Sequence, residues 1–281
     1  MRWLNGKLLA MITLAGTATV LVPVSTASAS TPPIAPPGYV RVQLPPAPAP
    51  PGEFDSGAQI KCPKGTVVWG GGAALFGGGD VGQNINTSEP IPGGWAARVN
   101  NSSHTTNDFT VHAICAKKPL GYKLVFKTVP NPAGQQNSAI AGCPKGTVLF
   151  DGGALSTADT VEAFLLSAFP KSSTAYKAVM WNGTAMAQQL TVYALCGHKP
   201  ARYTLVNKTI NYSNNAPVRV FTSAPCPAGT AILGGGVKVA NPKSSVYLAD
   251  SLDDPTQWEG STVDTNSSAT GTVTTSAICA A

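Results

Sequence analysis

Six cysteines in three pairs constrain this chain more than any other feature. They stand at Cys62, Cys115, Cys143, Cys196, Cys226 and Cys279, and the members of each successive pair are 53 residues apart. Each first member opens a Cys-Pro-x-Gly-Thr run: Cys62-Pro63-Lys64-Gly65-Thr66, Cys143-Pro144-Lys145-Gly146-Thr147 and Cys226-Pro227-Ala228-Gly229-Thr230. Each second member closes an Ala-x-Cys run that begins at Ala113, Ala194 or Ala277. A motif recurring at a fixed spacing is an internal repeat. Tyr39, Tyr122 and Tyr203 precede their first cysteines by 23, 21 and 23 residues, which places the units at 39–116, 122–197 and 203–281. Six cysteines admit many pairings. Equal spacing in three like units selects Cys62–Cys115, Cys143–Cys196 and Cys226–Cys279.

Within a unit the segments read as about five strands. A short aromatic and β-branched run begins each one at Tyr39, Tyr122 or Tyr203, and a polar or Pro-rich excursion follows. The second strand carries Trp69, Phe150 or Leu233 just before a glycine cluster: Gly70-Gly71-Gly72, Asp151-Gly152-Gly153 or Gly234-Gly235-Gly236. The third starts at Val81, Val161 or Val246 and meets a stop at Pro90, Pro170 or Pro255. Trp95, Tyr176 and Trp258 open the fourth, which turns at Asn101, Asn182 and Asn266. The fifth ends on the second cysteine. Its alternate residues Phe109, Val111 and Ala113, with their counterparts, form one apolar face, while His112, Tyr193 and Ser276 lie on the other. Only six residues separate Cys115 from Tyr122 and Cys196 from Tyr203, so the units pack on one another. The expected fold is all-β: three tandem disulfide-bonded repeats arranged with pseudo-threefold symmetry.

Arg2 and Lys7 precede an apolar run from Leu8 to Val22 and an Ala27-Ser28-Ala29 tail, the pattern of a secretory signal peptide over residues 1–29. The run is too short to span a bilayer. Residues 30–38 then read as a proline-rich leader, and the run Pro45 to Pro51 as a stiff surface loop. Removing residues 1–29 takes away two cations and no acid, lowering the formal net charge from +6 to +4. A charge that small over so long a chain is no nucleic-acid footprint. Cysteine in paired form and an export signal both point to an extracellular location.

The chemical candidates are few. The glycine clusters lack the Lys-Ser/Thr of a phosphate cradle and read as backbone crowding at a bulge or between sheets. The cysteines lack a Cys-x-x-Cys partner, so no metal ligand set and no cofactor motif is evident. His104, His112 and His198 are scattered, and no counterpart in another unit shares their chemistry. Asp250, Asp253 and Asp254, with Asp264 beyond, suggest an acidic loop or, alternatively, oxygen ligands for calcium. Glu162, Asp250, Asp253 and Glu259 are the conceivable carboxylates of a hydrolase.

The combination of Cys-Pro-x-Gly-Thr, a glycine cluster, an aromatic strand, an Asn turn and a closing Ala-x-Cys resembles repeats of secreted actinobacterial proteins of unassigned function. More distantly, three disulfide-containing β units are similar to the β-prism of the vitelline membrane outer layer protein and of some lectins. Neither resemblance supplies an activity. The function expected is a secreted, non-enzymatic binding or surface module for extracellular polysaccharide or a cell-surface component. Its candidate binding residues are Trp95, Asn101, Tyr176, Asn182, Trp258 and Asn266, an aromatic ring beside an amide in each unit, with aromatics buried as caps of the core as the equal alternative. A structural or protective extracellular protein and a hydrolase with one active site are the alternatives.

Overall fold

The computed structural model describes residues 34–52, 56–76 and 81–281, and every regular element among them is a strand. The first repeat supplies β1 (Val40–Gln43), β2 (Ala47–Ala49), β3 (Ser56–Lys61), β4 (Val67–Leu75), β5 (Gln83–Ile91), β6 (Gly94–Asn101) and β7 (Asn107–Ala116). The second supplies β8 (Lys123–Asn131), β9 (Gln135–Gly142), β10 (Val148–Ser156), β11 (Ala163–Ser172), β12 (Ala175–Asn182) and β13 (Gln188–Gly197). The third supplies β14 (Thr204–Asn214), β15 (Val218–Pro225), β16 (Ala231–Val239), β17 (Val246–Asp254), β18 (Gln257–Asp264) and β19 (Ala269–Ala280). The strands form three antiparallel sheets, ordered β1-β7-β4-β17-β18-β15, β3-β6-β5-β10-β13-β8 and β14-β19-β16-β11-β12-β9, with β2 also on β7.

No sheet belongs to one repeat. Each repeat divides into two three-stranded halves, and each half joins a half of a different repeat. In the first sheet β4 of repeat one meets β17 of repeat three at Ala73 and Ser251. In the second, β5 of repeat one meets β10 of repeat two at Ser88 and Ala154. In the third, β11 of repeat two meets β16 of repeat three at Ala168 and Val237. The three joints close a ring with pseudo-threefold organisation, and Thr31–Ala281 is one compact unit.

The disulfides tie this ring at its corners. Cys62, Cys143 and Cys226 follow the edge strands β3, β9 and β15, whereas Cys115, Cys196 and Cys279 lie in β7, β13 and β19, always in a different sheet. The Cα–Cα separations are 5.7, 5.6 and 5.7 Å, ordinary for a disulfide. Each closure stabilises the fold by about 4 kcal/mol in the chain-entropy account. The Cys-Pro-x-Gly-Thr motif that carries the first cysteine is a β-turn. Thr66, Thr147 and Thr230 each donate a backbone N–H at 3.1 Å to Pro63, Pro144 and Pro227. Gly65, Gly146 and Gly229 hold φ at 86°, 83° and 72° in the third turn position, where a side chain would be strained.

The glycine cluster is explained residue by residue. A bulge precedes it in β4, β10 and β16. A Cβ at the first position, Gly70 or Gly234, would run into Asp151, which holds the same position in repeat two. At the second, Gly71, Gly152 and Gly235, it would enter the ring of Trp95, Tyr176 or Trp258. At the third, Gly72, Gly153 and Gly236, it would strike the carbonyl of Ser251, Ser88 or Ala168 on the strand arriving from the neighbouring repeat. Asp151 is fully buried where the repeats converge. Gly71 N–H donates to its Oδ2 at 2.9 Å and Gly235 N–H to its Oδ1 at 3.1 Å, with Gly152 as a third amide donor. Burial nevertheless holds its carboxyl well above the usual range, since desolvation outweighs the amide donors.

The tyrosines that mark the repeats lock them together. Tyr39, Tyr122 and Tyr203 donate their hydroxyls to the carbonyls of Ile232, Val68 and Leu149 at 2.8, 2.6 and 2.7 Å. Each bond runs to the strand just before the bulge of another repeat. Burial pushes the Tyr122 phenol up to about 12, so the donor form persists at any physiological pH.

Several expectations need correction. A repeat has six strands rather than about five, and the first has a seventh in the short β2, because the polar excursion contains β3, β9 or β15. These are edge strands, half exposed and weakly apolar, so they give little periodic signal. Pro90 and Pro170 lie inside β5 and β11, near their ends, where a position without a second neighbour needs no N–H. Within the proline run, Ala47–Ala49 is a short strand on β7 with Ala49 buried, and the end of the leader is held by a bond from Lys117 N–H to Pro37 O. The proposed signal segment 1–29 lies outside the described residues.

Candidate functional site

The aromatic residues expected at a binding surface are in the core. Trp95, Tyr176 and Trp258 are 1%, 2% and 1% exposed. Each fills the space left by the second glycine of a cluster. Trp95 and Trp258 donate Nε1–H to Ser88 and Ser251 Oγ at 2.9 and 3.1 Å, and Tyr176 donates its hydroxyl to Gly235 O at 3.3 Å. Asn101 and Asn182 are also buried, as turn fasteners. Asn101 Nδ2 donates to Ala49 O and Thr105 O, while Asn182 Nδ2 donates to Asn131 O and Met186 O. Asn266 is exposed and is not their counterpart. Asp264 holds that place, paired with the first residue of β17 as Asn101 and Asn182 are with those of β5 and β11. It lies six residues beyond Trp258, as Asn101 does beyond Trp95 and Asn182 beyond Tyr176, an offset that could have identified it. Tyr212 donates its hydroxyl to Asp264 Oδ2 at 2.9 Å, and Asn266 donates to Oδ1. These three residues line a polar recess of about 320 Å³ with Lys243.

His112 faces a neighbouring repeat rather than solvent, and the aspartates are not a loop. Asp250 and Asp253 are in β17, with Asp264 ending β18, and all three are buried. Arg41 Nε contacts Asp253 Oδ2, and His112 Nδ1 lies 3.6 Å from Asp253 Oδ1. Burial lowers the His112 pKa against the pull of Asp253, and its Nε2 has no partner. This pair is enclosed. His104 and His198 sit in exposed turns. Among the described residues no cluster of three His, Cys, Asp or Glu is arranged to hold a metal, and no helix is long and apolar enough to cross a membrane.

A groove of about 560 Å³ opens beside the joint of β4 and β17, lined from β15, β17, β18 and the end of β4. Its floor is built by an ion pair. Arg219 Nη2 donates to Asp250 Oδ2 at 2.6 Å and to Leu75 O at 2.8 Å, and Nε donates to Ser261 Oγ at 3.1 Å. Leu75 N–H donates to Asp250 Oδ1 at 2.8 Å, and Ser261 Oγ donates to its other oxygen. Both carboxylate oxygens of Asp250 are therefore engaged, which makes it a fixed wall. Its rim is aromatic. Phe221, on the edge strand β15, is 65% exposed, and the Arg219 guanidinium lies 5.1 Å from its ring centre. Phe76 is 50% exposed on the opposite side. Glu259 completes the lining. Gln257 Nε2 donates to Glu259 Oε1 at 2.8 Å and to Asp254 Oδ2 at 3.2 Å. Burial, then the neighbouring charges of Asp254 and Asp250, raise the Glu259 pKa.

Phe221 and Phe76 went unnoticed in the sequence because neither belongs to the repeat motif. The groove joins two exposed ring faces to a satisfied, internally neutral polar floor. Such a surface is chemically complementary to apolar C–H faces with hydroxyls at their edges. Compared with known proteins, the chain matches no protein-family model and no curated protein sequence.

Proposed function

We propose that this protein is a secreted, non-catalytic module that binds an extracellular polysaccharide in the groove beneath Phe221. The observation that carries the reading is the exposed Phe221 ring, backed by Arg219 over a floor whose charges cancel. A large exposed ring buttressed from behind gives apolar contact area at little entropic cost. Residues 1–29 act as the export signal, and the Cys-Pro-x-Gly-Thr units resemble those of secreted actinobacterial repeats. Three disulfides are typical of extracellular proteins and fit that location.

The test is co-sedimentation with insoluble cellulose, chitin and xylan. Wild type binds at least one of them, and Phe221→Ala loses that binding at unchanged melting temperature. Equal binding by the variant would sink the reading, as would hydrolysis of a bound polymer that Glu259→Gln abolishes.

A further inference from the structure

A second aromatic face lies on the sheet β3-β6-β5-β10-β13-β8. Phe126, on the edge strand β8, is 67% exposed, and its ring centre is 6.1 Å from that of Tyr193, its cross-strand neighbour. Tyr193 pairs with Gly153, the glycine over which β5 crosses, so its hydroxyl reaches Glu89 and bonds with it. Burial raises the Glu89 pKa, against the opposing pull of the Tyr193 hydroxyl and the neighbouring Arg98. Beyond Glu89 is a hollow of about 340 Å³ floored by the small side chains of Ala58 and Ala96.

The frame of this face repeats that of the Phe221 groove. Arg98 Nη2 donates to Ser156 O at 3.0 Å, as Arg219 does to Leu75 O; Ser156 and Leu75 are the last residues of β10 and β4. Ser156 N–H donates to Thr87 Oγ1 at 3.3 Å, as Leu75 N–H does to Asp250. In both places an arginine caps a strand end contributed by another repeat; Phe221 stands on the same strand as its arginine, whereas Phe126 stands on the far edge of its sheet and joins the Arg98 frame through Tyr193 and Glu89. In both places the acid is already answered, Asp250 by Arg219 and Glu89 by Tyr193 and Arg98. A charged ligand would have to displace these partners, whereas a neutral polyhydroxylated chain can stack on the rings and use the remaining lone pairs.

We propose that the Phe126–Tyr193 face is a second glycan-binding site, so that one molecule grips two segments of the same polysaccharide. The proposal rests on the Phe221 groove being a carbohydrate site. Linking two sites on one rigid body raises the apparent affinity for a polymer by about 10²-fold or more without any new contact.

Titration calorimetry with cellohexaose and chitohexaose reads the number of sites, and binding to cellulose and chitin particles reads the avidity. Wild type should take up two hexasaccharides; Phe126→Ala and Phe221→Ala should each take up one and bind particles about 10²-fold more weakly, and the double variant should bind neither. Tyr193→Phe keeps the ring, removes the bond to Glu89 and should weaken the second site alone. If Phe126→Ala matches wild type in both measurements while Phe221→Ala abolishes all binding, the second site is overturned and the first reading stands. If wild type binds no probe, the first reading fails and takes the second with it.

Discussion

Tyr39, Tyr122 and Tyr203 make one hydrogen bond three times over, and Gly72, Gly153 and Gly236 admit one strand crossing three times over. On the rim the repeats part company. The position of Phe221, five residues before a first cysteine, holds Gly57 and Ser138 in the other repeats. The position of Phe126, four residues after the marker tyrosine, holds Gln43 and Asn207. Where the repeats must close on one another, a few ångströms of backbone separation admit a single solution, and all three use it. Where a side chain meets water, the fold imposes little, and the aromatic platforms appear there once each. Even at the centre the symmetry is broken in one place, by Asp151 between two glycines.

This contrast can be broken by mutation. Trp95→Ala should cost the most, about 3–5 kcal/mol, with Trp258→Ala close to it, measured by urea unfolding; a loss under about 1 kcal/mol would return these rings to the surface. Gly72→Ala drives a methyl group into the Ser251 carbonyl and should cost about 3 kcal/mol, as should Gly153→Ala against Ser88. Unequal effects at these two sites would show that the joints are not equivalent. Tyr122→Phe leaves the Val68 carbonyl without its donor and should cost about 1–2 kcal/mol, with Tyr39→Phe and Tyr203→Phe alike. Phe221→Ala and Phe126→Ala, by contrast, should leave the melting temperature unchanged.

The smallest effect is on pH dependence. Burial lowers the folded-state pKa of His112, so protonation favours the unfolded chain and stability falls as pH drops below the ordinary 6.5. His112→Gln should flatten the thermal stability profile between about pH 7.5 and 5. Asp151 acts with the opposite sign: its raised pKa means that stability is lost as pH rises above 3.8, so acid relieves the centre of the ring.

Much of the frame was legible in the cysteine spacing and the marker tyrosines, because each repeat writes the same local geometry. The exchange of half-sheets was not. A period says which residues are alike, but it does not say whether β4 finds its neighbour in its own repeat or in another. The burial of Trp95 was ambiguous for a related reason: a ring opening a strand suits a platform and a core equally well until the facing Gly71 shows which side is filled. The groove was illegible because Phe221 and Arg219 belong to an edge strand without motif, and their partner Leu75 lies 144 residues from Arg219.

The joint between Ala73 and Ser251 also sets the order of events in folding. A first repeat made before the others has one half-sheet waiting for the second repeat and the other waiting for the third. Until β10 and β17 arrive, β5 and β4 present unpaired edges, the surfaces on which chains aggregate. Contacts so distant in sequence make folding slow. The finished ring buries its joining edges, so the chain stays exposed to misassembly until its last repeat pairs with β4 and β11.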